Sequence, residues 1–353
     1  MVRKAAGSSA LIIAGGRGTR FWPASRESRP KPLFSIDKGS TLLGDAITRL
    51  VPLIKRDRIF VLVTSQQEAV FRKALEGLIP PENLILEPDG RGTAVAIAYG
   101  AAVIQSRVGE GIIAVMPADH YISPAADFRA TLASAIKLAS REDAIVVIGV
   151  EPTRPETGYG YQEIGRKVDG GFKVAQFIEK PALAAAKRMI RTKRYLWNAG
   201  MFVMKSSTLA RELKTHCPEL ARASTKLATL TGPALARFYR KLNFDSFDRQ
   251  IVEKSEHVLG VVAKFAWHDV GTWEGLWEAM GGRSDNVLVG QVIAFDADGV
   301  LAHSHSRLMV LLGVKNIVAV DTDDALLIID RGRSQETRRV IEELKRRGLT
   351  HYL

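Results

Sequence analysis

Cysteine is nearly missing from the chain: Cys217 is the one cysteine in 353 residues. An internal disulfide is thereby excluded, and a reducing cytoplasm is the expected setting. No motif around Cys217 suggests a nucleophile, so it reads as a buried or incidental thiol. Long apolar runs are missing too. Stretches such as 144–150 are strand-sized, far short of the ~20 residues that a spanning helix needs. Met1-Val-Arg-Lys leads into a short apolar strand and then glycines and arginines, not a secretory signal, and no membrane association is expected. Low-complexity segments and internal repeats are also lacking. Charge is not lacking: 50 Lys and Arg stand against 38 Asp and Glu, a net of +12. Such a surplus would suit nucleic acid. The basic residues are scattered, however, and the clusters at 188–194 and 331–347 read as solvated helix faces with no aromatic platform among them. Nucleic acid is therefore not the expected partner, and small phosphorylated substrates use the charge better.

With 46% hydrophobic and 25% charged residues, the composition is globular, and the length exceeds one ordinary domain. Apolar runs at 10–14, 58–63, 83–86, 112–116 and 144–150 predict buried parallel strands. Between them, 41–50, 67–78, 94–106 and 128–138 carry apolar residues at helical spacing, so strand and helix alternate as in a doubly wound sheet. Ligands are then expected beyond the carboxyl ends of the strands, where Ala14-Gly15-Gly16 and Met116-Pro117-Ala118-Asp119 fall. After about Met280 the texture changes to short strands near 289–295, 308–312, 317–320 and 325–329, closed by a basic helix. We place a boundary at Gly281-Gly282: a catalytic unit over 1–281 and a small β-rich, β-helix-like unit over 282–353.

The stretch Leu11-Ile-Ile-Ala-Gly15-Gly16-Arg-Gly18-Thr19-Arg20 is a strand running into glycines, whose backbone N–H groups can approach phosphate oxygens with no Cβ in the way. It is not a P-loop, because no Gly-Lys-Ser/Thr follows. It is not a dinucleotide fingerprint either, since Phe21 stands where the last glycine would be. The loop continues as Phe21-Trp-Pro-Ala-Ser-Arg-Glu-Ser-Arg-Pro-Lys31-Pro32, setting two fixed cations, Arg20 and Lys31, beside the glycines.

The segment from Leu11 to Leu33 resembles the signature of the sugar nucleotidyltransferases, particularly the mannose-1-phosphate guanylyltransferases. The blocks Glu87-Pro-Asp-Gly-Arg91-Gly-Thr93-Ala, Met116-Pro-Ala-Asp119-His, Pro155-Glu-Thr-Gly158-Tyr159-Gly160-Tyr, Phe177-Ile-Glu179-Lys180-Pro, Trp197-Asn198-Ala-Gly, Ser246-Phe-Asp and Asp269-Val-Gly-Thr-Trp273 resemble that family in its order, over roughly residues 10 to 330. The resemblance implies a Rossmann-like, doubly wound mixed α/β sheet with a small β-helix-like domain behind it. It also implies transfer of GMP from GTP to α-D-mannose 1-phosphate, giving GDP-mannose and pyrophosphate. The alternatives are a related enzyme for another base or sugar, or a non-catalytic nucleotide-sugar-binding protein. Catalysis of such a transfer is mostly positioning and charge neutralisation. By resemblance Arg20 and Lys31 serve the triphosphate, and Asp119 and Asp269 hold Mg²⁺, or Mn²⁺ in its place. Gly15, Gly16, Gly18, Thr19, Glu87, Arg91 and Thr93 face the nucleotide. Lys180 meets the sugar phosphate, Glu179 and Asn198 the sugar hydroxyls, and Gly158, Tyr159 and Gly160 form a close wall. A helix cap is the plain alternative for Asp119, and a turn former for Asp269. His120 is expected to be structural, and His303 and His305 have no third ligand for zinc. Gly92 departs from the family, whose guanylyltransferases usually carry asparagine there. A homodimer is the expected assembly.

Overall fold

The computed structural model describes residues 7–16, 18–26, 28–36, 39–282 and 285–353, apart from the Thr19 side chain. The first half alternates as expected. Strands β1 (Ser8–Ile13), β2 (Ile59–Thr64), β3 (Leu84–Glu87), β4 (Ile112–Pro117) and β6 (Ile145–Val150) are the five predicted runs, each shifted by a residue or two, and β5 (Tyr121–Ser123) is a short addition. Helices α1 (Leu42–Leu50), α2 (Glu68–Ala74), α3 (Thr93–Val108) and α4 (Ala125–Arg141) lie between them. The second half adds β7 (Gly160–Val168), β8 (Gly171–Glu179), α5 (Leu183–Thr192), β9 (Tyr195–Lys205), α6 (Ser206–His216), α7 (Pro218–Leu227), α8 (Gly232–Tyr239), β10 (Val258–Val262), β11 (Ala266–His268) and α9 (Trp273–Ala279).

Nine strands form one mixed sheet in the order β3-β2-β1-β4-β9-β6-β10-β8-β7. β1 is central and parallel to both neighbours, with Ala10 opposite Ile59 on one side and Ala114 on the other. Strands covered on both faces read as continuous apolar runs, which is why β1, β2 and β4 are legible in the sequence. Side chains alternate across β1: Ala10, Ile12 and Ala14 join a core with Leu43, Phe71 and Phe128 of α1, α2 and α4. Leu11 joins the opposite core with Val95, Ile97 and Leu220 of α3 and α7. The parallel order is broken by β9, which runs antiparallel between β4 and β6.

The C-terminal part is a short coil of strands. β12 (Val287–Val289), β14 (Leu301–His303) and β16 (Ile317–Asp321) stack in parallel on one side, and β13 (Val292–Phe295) and β15 (Met309–Leu312) on the other. An antiparallel β17 (Leu326–Asp330) and the basic helix α10 (Thr337–Arg346) close it. The run 289–295, expected as one strand, divides at Gly290, whose φ of +86° turns the chain between the two faces of the coil. β14, three residues long, has no counterpart in the sequence reading.

This coil packs against the elements that precede it. Its Val287, Leu301, Val318, Val320 and Leu327 share one apolar cluster with Phe21, Trp22 and Phe34 of the glycine-rich loop and with Trp273 and Trp277 of α9. Polar contacts reinforce the seam. The Trp22 indole N–H donates to the Tyr352 carbonyl at 2.8 Å, Arg26 grips both Asp324 oxygens at 2.5 and 2.6 Å, and the Arg331 guanidinium lies 3.6 Å from the Trp277 ring centroid.

Candidate active site

The chain leaves β1 through Ala14-Gly15-Gly16 at the point where β2 goes to one side of it and β4 to the other. That is the crevice where open α/β sheets bind ligands. A cavity of about 340 Å³ occupies it, lined by Gly15, Gly16, Gly18, Lys31, Thr93, Asp119, His120, Gly200 and Asp248 among others. Gly18 sits at φ +56°, and a Cβ there would stand 2.5 Å from the Lys31 Cβ and 2.7 Å from Ser25 Oγ. Only glycine lets the loop fold back tightly enough to set Lys31 against the crevice.

Lys31 begins a 3₁₀ turn, Lys31–Leu33, and is 6% exposed. Its ammonium donates to Asp119 Oδ2 at 2.7 Å and to the Asp269 carbonyl at 3.1 Å, and it stands 5.3 Å from the Phe21 ring centroid. Burial would raise the Asp119 carboxyl, but the Lys31 ammonium beside it holds it below the usual range. His120 is pushed down to about 4 by burial; its Nδ1 accepts from the Trp267 indole at 3.0 Å, so the ring is anchored as a neutral acceptor.

Asp269 follows β11. Its Oδ1 accepts from the Tyr159 hydroxyl at 2.7 Å and from the Gly271 amide at 3.2 Å. Burial and the Asp269 charge push the Tyr159 hydroxyl upward, which keeps it a donor. Arg20 arrives at the same place: a Cβ on Gly271 would meet Asp269 Oδ2 at 2.9 Å and Arg20 Nη1 at 3.5 Å. The Lys31 ammonium thus lies between the Asp119 carboxylate and the Asp269 backbone, and Arg20 comes in on the other side of Asp269, at Gly271.

The residues assigned to the nucleotide divide. Thr93 opens α3, and its hydroxyl accepts from the Phe247 amide at 2.9 Å. Glu87 lies beneath Gly15 with Oε2 held by the Tyr239 hydroxyl at 2.6 Å. Burial pushes its carboxyl up to about 7, against the pull of that hydrogen bond. Arg91 pairs with Asp89 at 2.8 Å, and its buried Nε has no partner among the described residues. Gly16 is exposed, and the Thr19 side chain lies outside what is described.

A second cavity of about 390 Å³ is lined by Tyr159, Trp197, Trp267, Arg154 and Glu278 among others, none of which lines the first. Tyr159 packs edge-on against Trp197 and Trp267, with centroids 5.3 and 5.1 Å apart. It links this cavity to Lys31, because its ring walls the cavity while its hydroxyl reaches Asp269, whose carbonyl accepts from the Lys31 ammonium. Gly158 is exposed at the rim and Gly160 starts β7. Glu179 ends β8 with a side chain only 7% exposed, and Lys180 Nζ lies 2.9 Å from its Oε1. Asn198 is buried within β9 and donates to Asp248 Oδ1 at 2.8 Å. Asp248, Arg154 and Trp267 were not singled out from the sequence; the Ser246-Phe-Asp248 block was the one available signal, and it named no role.

A glycine loop at the switch point of a mixed sheet, backed by fixed cations and two aspartates, defines a transferase acting on nucleotide phosphates. The chain belongs to the nucleotidyl transferase family, whose model matches residues 9–285, and a MannoseP isomerase/GMP-like beta-helix domain matches residues 290–344. The mannose-1-phosphate guanylyltransferase of Escherichia coli is 33% identical over 96% of this chain and 73% of its own length. The xanthan biosynthesis protein XanB of Xanthomonas campestris pv. campestris is 35% identical over the same shares, 96% and 73%. The crystal structure of the Thermus thermophilus protein described as mannose-1-phosphate geranyltransferase is similar with a TM-score of 0.88 at 36% identity, covering 96% of this chain and 99% of that one.

Proposed function

We propose that this nucleotidyltransferase moves GMP from GTP to α-D-mannose 1-phosphate, releasing pyrophosphate. The observation that carries the reading is the chain of contacts from Asp119 through Lys31 and Asp269 to Tyr159, which runs from the lining of the first cavity to the wall of the second. In the reaction a phosphate oxygen of the sugar attacks the α-phosphorus in line, and the bond from that phosphorus to the bridging oxygen breaks. The nucleophile is already anionic, so no strong base is needed, and the protein's part is to orient two anions and offset their charge. Arg20 and Lys31 suit the triphosphate, and Lys180 the sugar phosphate. Glu87, whose Oε1 lies beneath Gly15, offers an acceptor for the donor edge of a guanine. The donor set also fits Mg²⁺ or Mn²⁺: two aspartates supply hard oxygens, and such ions complete their shells with water and phosphate. Bound there by Asp119 and Asp269, the ion would neutralise the transferring phosphates.

We further read the 282–353 unit as the seat of a homodimer. Ile293, Phe295, Val310 and Leu312 on β13 and β15 are 43 to 70% exposed and side by side, an apolar face of the kind that marks association. A nucleoside triphosphate substrate and the free thiol of Cys217 suit a reducing cytoplasm.

The test is pyrophosphate release across the four NTPs and dTTP with mannose 1-phosphate and glucose 1-phosphate. GTP with mannose 1-phosphate should give the highest kcat/KM, EDTA should abolish release, and Mg²⁺ should restore it. A higher kcat/KM for UTP or dTTP with glucose 1-phosphate would overturn the reading.

A further inference from the structure

Asp248 opens the turn Asp248–Val252, which the buried Phe247 pins to the core between β9 and α3. It faces the nucleotide cavity, yet its hydrogen bond runs to Asn198 on the sugar side. The Asn198 amide has two partners of opposite kind: Nδ2 donates to Asp248 Oδ1 at 2.8 Å, and Oδ1 accepts from the Gly200 amide at 3.2 Å. A flipped amide would set N–H against N–H and oxygen against oxygen. One orientation is therefore selected, leaving Asn198 a single N–H and one lone pair for a ligand. Gly200 contributes by its φ of +67°, in the left-handed region that favours glycine.

We propose that Asp248 is a positioning residue of the sugar side, selecting which end of the Asn198 amide a sugar hydroxyl meets and, with Glu179, completing a two-acid cradle for hydroxyl donors. This rests on the sugar-side reading of Glu179 and Asn198 given above.

The groups around Asp248 set its sign. Glu179 lies close on β8, and Glu253 Oε1 accepts from the Glu179 amide at 3.4 Å. Lys180, with a side chain 52% exposed, is the cation that pulls it downward. Arg249, its chain neighbour, is paired to Asp245 at 3.3 Å. Lys31, Asp119 and His120 line the same cavity, with Lys31 committed to Asp119. Burial first, and then the Glu179 charge, push the Asp248 carboxyl up to about 7. Below that pH the cradle carries its extra proton. Above it, two carboxylates stand together against one half-exposed ammonium, and an anionic sugar phosphate meets more repulsion. Affinity for the sugar phosphate should thus be lost as pH rises through about 7.

The experiment measures kcat and both KM values for wild type, Asp248→Ala and Asp248→Asn between pH 6 and 8.5, with thermal melts as a check on folding. Asp248→Ala should raise the KM for mannose 1-phosphate about tenfold, leaving kcat and the KM for GTP within about threefold. In wild type the KM for mannose 1-phosphate should climb across pH 7; in Asp248→Asn, which keeps an acceptor for Asn198 but cannot ionise, that climb should be absent. The Asn variant and its pH profile carry the test even where the Ala variant folds poorly. A KM for mannose 1-phosphate within twofold of wild type in Asp248→Ala, or the same pH profile in Asp248→Asn, overturns the proposal. Inactivity of wild type toward mannose 1-phosphate would instead overturn the functional reading beneath it.

Discussion

Lys31 and Asp119 are best understood as one unit. The lysine is almost fully buried, and its charge is matched by Asp119, whose side chain is 34% exposed. Removing either member leaves the other without its partner in the crevice. Lys31→Met and Asp119→Asn should each lower kcat by about a hundredfold or more, in line with losing a charged contact at a transferring phosphate. The double variant should lose far less than the product of the two, because residues acting as a unit are non-additive. Steady-state kinetics on the four proteins closes the cycle. Full multiplicativity would mean that the 2.7 Å contact has no part in turnover. Thermal stability should fall only modestly, by about 1 kcal/mol for Lys31→Met, because Asp119 keeps contact with solvent.

Among the connecting elements, the turn into α3 explains the one departure from the family's base-binding block. Gly92 sits at φ 86° and ψ 159°, a region essentially reserved for glycine. A Cβ there would also lie 2.7 Å from the Phe244 carbonyl oxygen. An asparagine cannot occupy this turn unless the turn itself changes, so glycine and backbone path go together. Gly92→Asn should destabilise the protein by about 1 to 3 kcal/mol, lowering Tm by a few degrees. It should also raise the KM for GTP, because Thr93 and the amino end of α3 line the nucleotide cavity. An unchanged melt together with improved use of GTP would show that the turn readily adopts another path.

For the molecule as a whole, the C-terminal coil has two surfaces with separate consequences. One is buried against the loop that carries Arg20 and Lys31, through Trp22, Phe34 and the Arg26–Asp324 pair. The other presents Phe295 and Leu312 outward. Truncation after residue 282 should therefore cost activity as well as assembly, because it strips the support from behind the catalytic loop. Phe295→Lys with Leu312→Lys should disrupt assembly alone. Light scattering should find the lysine variant monomeric with kcat within about threefold of wild type, and the truncated chain at least tenfold slower. A truncated chain with the parent's kcat would show that the loop holds its shape unaided.

Much of this was legible in the amino-acid sequence because it is local. The apolar runs of β1, β2 and β4, the glycines after β1, and the pairing of Arg20 with Lys31 on one loop depend on residue type and spacing, and they point to a doubly wound sheet handling phosphate. The strands β7 to β10 were not legible as strands. β7 and β8 are short of continuous apolar sequence, as Gln162, Glu163, Arg166 and Lys167 in β7 illustrate, β9 carries the Trp197-Asn198-Ala-Gly200 block inside an antiparallel strand that only the sheet order explains, and β10, five apolar residues long, joins the sheet far from its neighbours in the chain. Chemistry that depends on distance was likewise decided by tertiary structure. The sequence by itself determined which charges are present and that they suit a nucleotide and a sugar phosphate. That Lys31 neutralises Asp119, that Tyr159 ties the Trp197 and Trp267 rings to Asp269, and that Asp248 orients Asn198 were decided by the packing of distant segments, since Coulomb and hydrogen-bond energies depend on separations that no local pattern encodes.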